Sequence, residues 1–190
     1  MSADENKIFD AVREGSGAFK GLTRNERQGV MLGLCKDSLA PYTRIMYPPF
    51  ERSKHHEIIF SKLEQVERGE IDRLIINMPP RHSKSLIASQ MLPSWFLGRN
   101  PDKRVIIATY AQDLADDFGR RIKMNIGSEL HRAIFPKSEL SMDSRSIKKF
   151  SLTAGGEFIA VGVGGGATGK GGDLILVDDP IKGRQEANSK

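Results

Sequence analysis

The chain has 190 residues, 38% of them hydrophobic and 28% charged, which suits one globular domain with a substantial core. Its formal net charge of +5 permits a nucleic-acid partner without requiring one. The single cysteine excludes an internal disulfide, no apolar run approaches the length of a membrane span, and the N-terminus lacks a signal-peptide pattern. We therefore expect a protein of a reducing compartment with no membrane partner.

The first 50 residues are predicted to form a helical N-terminal segment ahead of a main domain over residues 51–190. Thr23 and Glu26 have the spacing of a capping box, and apolar residues after them recur with helical spacing. Residues 41–49 contain three prolines and are predicted to form an irregular connector. A second helix is expected over residues 54–68, ended by Gly69.

The main domain shows alternating strand and helix patterns. Strands are predicted over residues 74–77, 104–110, 157–163 and 173–177, and helices over about 84–97 and 111–122. Apolar strands that alternate with helices predict an α/β fold, with a mostly parallel sheet and helices on both faces. Ligands of such sheets bind at the carboxyl ends of the strands.

The segment MPPRHSKS, residues 78–85, lies between a predicted strand and the helix that follows it. A phosphate-binding loop needs backbone N–H groups turned toward the phosphates, a lysine for the β- and γ-phosphates, and a hydroxyl for Mg²⁺. Lys84 and Ser85 fit the last two roles, although Met78 and Ser83 stand where the usual pattern has glycines. The alternative is that Lys84 and Ser85 form a solvated helix start.

A glycine-rich stretch over residues 164–172 offers a competing phosphate loop. Gly164, Gly169 and Lys170 match the usual spacing better than residues 78–85 do. However, Gly171 stands where the hydroxyl is needed, and a strand follows instead of a helix. We therefore favour residues 78–85, and interpret the glycine stretch as either a loop that responds to nucleotide or DNA or a simple flexible link.

Two adjacent carboxylates end the last predicted strand. In P-loop ATPases, the first acid at this place organises Mg²⁺ and the next polarises the attacking water. Asp178 and Asp179 stand in these places. Two adjacent acids serve one site most easily if the strand ends there, because side chains alternate along a strand. The alternative is a plain turn, since Pro180 follows.

These segments, together with VIIATYAQDLADDFGRR and GATGKGGDLILVDDPIK, resemble the ATPase domain of tailed-phage terminase large subunits, from about residue 54 onward. The resemblance implies a RecA-like P-loop ATPase that hydrolyses ATP with Mg²⁺ to package double-stranded DNA. It implies that the catalytic residues are Asp179, Arg81 and Lys84. The implied nucleotide-binding residues are Pro80, Arg81, His82, Ser83, Lys84, Ser85 and His56, and the implied metal ligands are Ser85 and Asp178.

The resemblance also implies partners and a place of action. It implies a homo-oligomeric ring on the capsid portal, a terminase small subunit as partner, and location in the host cytoplasm at the procapsid portal during packaging. Residues 110–113 match a helicase-like segment that couples nucleotide state to DNA, or else form an ordinary strand-to-helix loop. The basic residues Arg120, Arg121 and Lys123 are interpreted as DNA contacts, as the source of an arginine finger in trans, or as a solvated helix face.

Two departures and two alternatives remain open. Many relatives have glycine at the position of Ser83, and most ATPases of the wider class use glutamate where this chain has Asp179. Complete large subunits continue into a nuclease domain, so we expect a truncated ATPase region without nuclease activity. The alternatives are a superfamily-2-type helicase or translocase core, and a truncated ATP-binding module that does not turn over.

Overall fold

The computed structural model describes residues 3–162 and 171–181. Its helices are α1 (Ala3–Glu14), α2 (Arg24–Asp37), α3 (Leu39–Met46), α4 (Lys54–Glu67), α5 (Leu92–Arg99), α6 (Gln112–Gly127) and α7 (Glu129–Ile134), with a 3-10 turn at Gly17–Phe19 and a π-helical stretch at Leu86–Met91. Its strands are β1 (Arg104–Thr109), β2 (Lys149–Ser151), β3 (Glu157–Gly162) and β4 (Leu174–Asp178).

The four strands form one mixed sheet in the order β2-β3-β1-β4. β1 pairs in parallel with both β3 and β4, whereas β2 pairs antiparallel with β3. The predicted α/β class is therefore confirmed, and the predicted parallel pairing holds for three neighbouring strands. The short antiparallel strand β2 was not predicted.

The helices that cover the sheet lie on one face in the part of the chain that the structure describes. Gly119 of α6 lies against the ring of Phe158, and Ser89 bonds to Asp178. The strand register places Phe158 and Asp178 on the same face, since Phe158 pairs with Val105 and Val105 with Leu174. The β4 side chains on the opposite face, 57% and 61% exposed, are Ile175 and Val177. Helices on that opposite face stay a prediction, because Ile106 and Ile159, which the register places there, are each 3% exposed and therefore covered.

The predicted strand at residues 74–77 is also wrong. This segment has no regular secondary structure and pairs with no strand among the described residues. A cleft of about 730 Å³ separates it from β4, and Ile75 is 85% exposed. A strand requires a hydrogen-bonded neighbour, so the apolar sequence alone does not make this segment part of the sheet.

The N-terminal helices follow the sequence in part. The capping box of Thr23 and Glu26 begins α2, with the Thr23 N–H donating to Glu26 Oε2 at 2.8 Å. Helix α4 and its end at Gly69, where φ is 73°, are confirmed. The connector predicted over residues 41–49 is wrong for its first half, because α3 extends to Met46. Pro41 lies in the first turn of α3, where a missing N–H breaks no helical bond.

One apolar core joins the N-terminal helices to the rest of the chain. Leu39 and Tyr42 of α3 belong to the same buried cluster as Trp95 and Phe118. The Trp95 indole N–H also donates to the carbonyl of Cys35 at 3.1 Å. Among the described residues, no helix is long and apolar enough to cross a membrane.

Candidate functional site

The carboxyl ends of the three parallel strands meet at one edge of the sheet. Thr109 of β1 is in register with both Gly162 of β3 and Asp178 of β4. Just past this edge, the Tyr110 N–H donates to the carbonyl of Asp179 at 3.3 Å. The predicted acidic pair therefore lies where α/β folds place their ligands.

Lys84 meets both members of the acidic pair. Its Nζ lies 2.7 Å from Asp179 Oδ1 and 3.2 Å from Asp178 Oδ1. Partial burial lowers the pKa of Lys84, but the hydrogen bonds that its ammonium donates to Asp179 and Asp178, with the charges of those carboxylates, outweigh burial and raise that pKa overall. The ammonium thus stays charged and bridges two carboxylates that the sequence placed about a hundred residues downstream.

The two adjacent carboxylates face one lysine because the strand ends between them. β4 ends at Asp178, and Asp179 takes a left-handed backbone conformation with φ of 44°. This turn breaks the alternation that would otherwise send neighbouring side chains to opposite faces. Asp178 is 5% exposed, whereas the Asp179 side chain is 63% exposed. The pair therefore combines a buried acid with one open to solvent.

Ser89 is a residue of the site that the sequence analysis missed. Its hydroxyl donates to Asp178 Oδ2 at 2.8 Å, and its side chain is buried. Ser89 lies in the π-helical stretch Leu86–Met91, which ends two residues before Pro93, and Pro93 lacks an N–H to bond back into that stretch. The signal that could have found it is its spacing, four residues after Ser85 on the same helix.

The predicted phosphate loop has a strained backbone. Arg81 and Ser83 have φ of 65° and 61°, in the left-handed region that favours glycine. Each costs about 1 kcal/mol relative to an unstrained conformation. Helical structure begins at Lys84, and the Ile87 N–H donates to the carbonyl of Ser83 at 3.0 Å. The side chain of Arg81 is exposed. The loop thus ends on a helix N-terminus, as the prediction required.

Three histidines cluster beside this loop. The ring centroids of His55 and His56 are 3.9 Å apart, and those of His55 and His82 are 5.6 Å apart. His56 is buried, and its two ring nitrogens bond to the Ser53 N–H and the His82 carbonyl. Burial, more than the neighbouring charges of His55, Arg52 and His82, lowers the pKa of His56.

The other predicted segments are placed as follows. Gln112, within residues 110–113, accepts from the Gly162 N–H at 3.0 Å and so joins the ends of β1 and β3. Arg120 pairs with Asp117, and Arg121 is exposed. Lys123 donates to the carbonyls of Ser144 and Ser146. Its ammonium therefore holds the loop that contains these serines and is not simply part of a solvated helix face. Gly164, Gly169 and Lys170 lie outside the described residues.

The oxygen ligands predicted for Mg²⁺ are suited to that ion. Ser85 offers a hydroxyl and Asp178 a carboxylate, and Mg²⁺ binds through one or two carboxylates together with waters and substrate phosphates. Asp178 Oδ1 lies 3.2 Å from the Lys84 ammonium, so the cation that it faces in this structure is the lysine. Within residues 3–162 and 171–181, no group of three histidine, cysteine or acidic side chains is arranged to hold a metal ion on its own.

The fold and this cluster define an α/β protein with a lysine and an acid pair at the carboxyl edge of its sheet. No protein-family model, curated protein or solved structure matches the chain.

Proposed function

We propose that this chain is the P-loop, RecA-like ATPase domain of a phage terminase large subunit. The observation that carries the proposal is the meeting of Lys84 with Asp178 and Asp179, since Lys84 and Asp179 are 95 residues apart in sequence. A loop lysine opposite a strand-end acid pair is how P-loop ATPases hold phosphates and position water. The left-handed turns at Arg81 and Ser83, just before a helix N-terminus, support the same interpretation.

The proposed chemistry is hydrolysis of ATP by in-line attack of water on the terminal phosphorus. The phosphates draw Lys84 away from the acid pair, and Asp179 then orients the water and accepts its hydrogen bond. Arg81 stabilises charge on the terminal phosphate, while Pro80, His82 and Ser83 supply the loop backbone. Mg²⁺ would be held by Ser85 and Asp178 and would supply charge neutralisation on the phosphates.

In this proposal, hydrolysis drives double-stranded DNA into a procapsid in the host cytoplasm. The motor is a homo-oligomeric ring on the portal that works with a terminase small subunit. The exposed side chains of Arg120 and Arg121 on α6 are available to DNA phosphates or to a neighbouring subunit. Gln112 links nucleotide state to the rest of the sheet through its bond to Gly162.

The test is Mg²⁺-dependent phosphate release from ATP by the parent chain and two variants. Lys84→Ala and Asp179→Asn are each expected to lower turnover by about 100-fold or more, because each removes a charged group from the transition state. Lys62→Ala and Asp143→Asn, which change exposed residues of the same types, are the matched controls and should keep parental rates.

Three outcomes separate the competing functions. Parental turnover in Lys84→Ala contradicts the proposed site. ATP binding without turnover in the parent favours the binding module that does not hydrolyse ATP. ATP-dependent unwinding of duplex DNA favours the superfamily-2-type helicase.

A further inference from the structure

The phosphate loop needs support from outside itself. Arg81 and Ser83 both have left-handed backbone conformations, and neither is a glycine. Such conformations persist when surrounding contacts over-determine them. His82 lies between these two residues, so its backbone is the natural place for such a contact. The His82 ring already contributes locally, with Nδ1 donating to the carbonyl of Pro80 at 2.9 Å.

His56 supplies a contact from α4. Its Nε2 lies 3.3 Å from the His82 carbonyl, and its Nδ1 accepts from the Ser53 N–H at 3.0 Å. Because a backbone N–H can only donate, Nδ1 must be unprotonated. The neutral ring then carries its proton on Nε2, which donates to the carbonyl of His82. The two bonds thus fix one protonation state and one tautomer.

Packing fixes the orientation of this ring. His56 is 4% exposed, and its ring centroid lies 5.0 Å from that of Phe50. The ring therefore cannot turn away from the loop without breaking the cap of α4 at Ser53. An immobilised donor holds a loop better than an exposed one, since little side-chain entropy remains to be lost.

We propose that His56 is a positioning residue that holds the phosphate loop in its binding conformation through the carbonyl of His82. This role rests on the proposed ATPase function and deepens it. In this role His56 acts through the loop backbone, in place of the direct nucleotide contact that the resemblance implies. It also couples the start of α4 to the phosphate loop, so a shift of α4 would alter nucleotide affinity.

Paired substitutions separate the two bonds of His56. His56→Asn keeps an acceptor near Nδ1 for the Ser53 N–H but cannot reach His82. His56→Gln places an amide N–H at about the reach of Nε2. His55→Asn is the matched control on the neighbouring ring. The readouts are trypsin cleavage after the exposed Arg81, the ATP dissociation constant, kcat, and the thermal midpoint.

We expect cleavage at Arg81 in His56→Asn, measured well below the thermal midpoint of that variant, to accelerate about 3- to 10-fold, the effect of one lost hydrogen bond on a local opening. ATP binding should weaken by a similar factor, with little change in kcat, because the loop must be ordered before it binds. His56→Gln should restore most of both losses, and His55→Asn should behave like the parent.

Parental cleavage and affinity in His56→Asn, or equal losses in His55→Asn, overturn the inference. If the parent binds ATP and only these results fail, the proposed function stands; if the parent binds no ATP, both fail. A ring-nitrogen NMR spectrum of the parent gives a test that needs no variant. The neutral Nε2–H tautomer of His56 supports the inference, and the Nδ1–H tautomer contradicts it.

Discussion

The Lys84 side chain lies between two carboxylates before any phosphate arrives. Its Nζ contacts Asp179 Oδ1 at 2.7 Å and Asp178 Oδ1 at 3.2 Å. In the proposed function, ATP binding would be an exchange of partners for Lys84, in which phosphate oxygens replace carboxylate oxygens. Asp179 would oppose binding in this exchange, both by holding the lysine and by repelling the phosphates, while the proposed turnover would require it.

At the scale of single residues, the Ser89→Ala substitution tests whether Ser89 supports Asp178. The Ser89 hydroxyl donates to a buried carboxylate, and such bonds are worth about 1.5–3 kcal/mol. We expect a loss of this size in the free energy of unfolding, measured with denaturant, and a higher Mg²⁺ requirement for turnover. Ser94→Ala, which removes a buried serine bonded to the Gln90 carbonyl, is the control and should leave the Mg²⁺ requirement unchanged. A parental Mg²⁺ requirement in Ser89→Ala would contradict this role.

The sequence identified the charged residues of the site but not their supporting partner. Lys84, Asp178 and Asp179 stood out because each follows or precedes a recognisable local pattern. Ser89 is 89 residues from Asp178, and its spacing from Ser85 indicates a shared helix face without identifying Asp178 as its partner. Contacts of this kind depend on how the helix is placed against the sheet, which short-range patterns do not encode.

At the scale of elements, strain in the phosphate loop predicts a stabilising substitution. Ser83 has φ of 61°, so Ser83→Gly relieves a left-handed strain of about 1–2 kcal/mol and loses about 0.5–1 kcal/mol to chain entropy. The expected net gain in the free energy of unfolding is roughly 0.5–1 kcal/mol. Ser83→Ala keeps the Cβ and should show no gain. Equal stability of the glycine and alanine variants would contradict the strain argument.

The elements that the sequence predicted well carry their own periodic pattern. The buried stripe of α6 and the apolar run of β1 are local features, and both elements are confirmed. The apolar run at residues 74–77 looks the same locally but has no strand beside it. The sequence pattern does not predict α3, because prolines usually break helices, although Pro41 lies in a first turn that tolerates proline.

At the scale of the whole molecule, a buried polar chain joins α3 to α7 and the loop after it. The Tyr42 hydroxyl lies 2.9 Å from His131 Nδ1, and His131 Nε2 lies 3.1 Å from the Ser138 hydroxyl. His131 is fully buried, and burial lowers its pKa to about 4. The neutral ring is therefore part of the folded core.

This burial predicts how stability depends on pH. Between about pH 6.5 and pH 4 the unfolded chain binds a proton at His131 that the folded chain does not, so stability is complete above pH 6.5 and falls as the pH drops. The expected loss is about 3 kcal/mol, measured by denaturant unfolding across this range. His131→Gln, which cannot titrate, should show a much shallower dependence. An equally steep loss in that variant would contradict the assignment.

The whole fold is needed to form the site, because the phosphate loop at residues 78–85 and the end of β4 meet only when the core has assembled.

The most direct test of the proposed ATPase function is equilibrium binding of ATP to the parent, Lys84→Ala and Asp179→Asn. We expect Lys84→Ala to bind at least about 10-fold more weakly. We expect Asp179→Asn to bind about 2- to 5-fold more tightly, because a partly exposed ion pair competing for Lys84 is removed. Parental affinity in Lys84→Ala, or weakened binding in Asp179→Asn, would contradict the account.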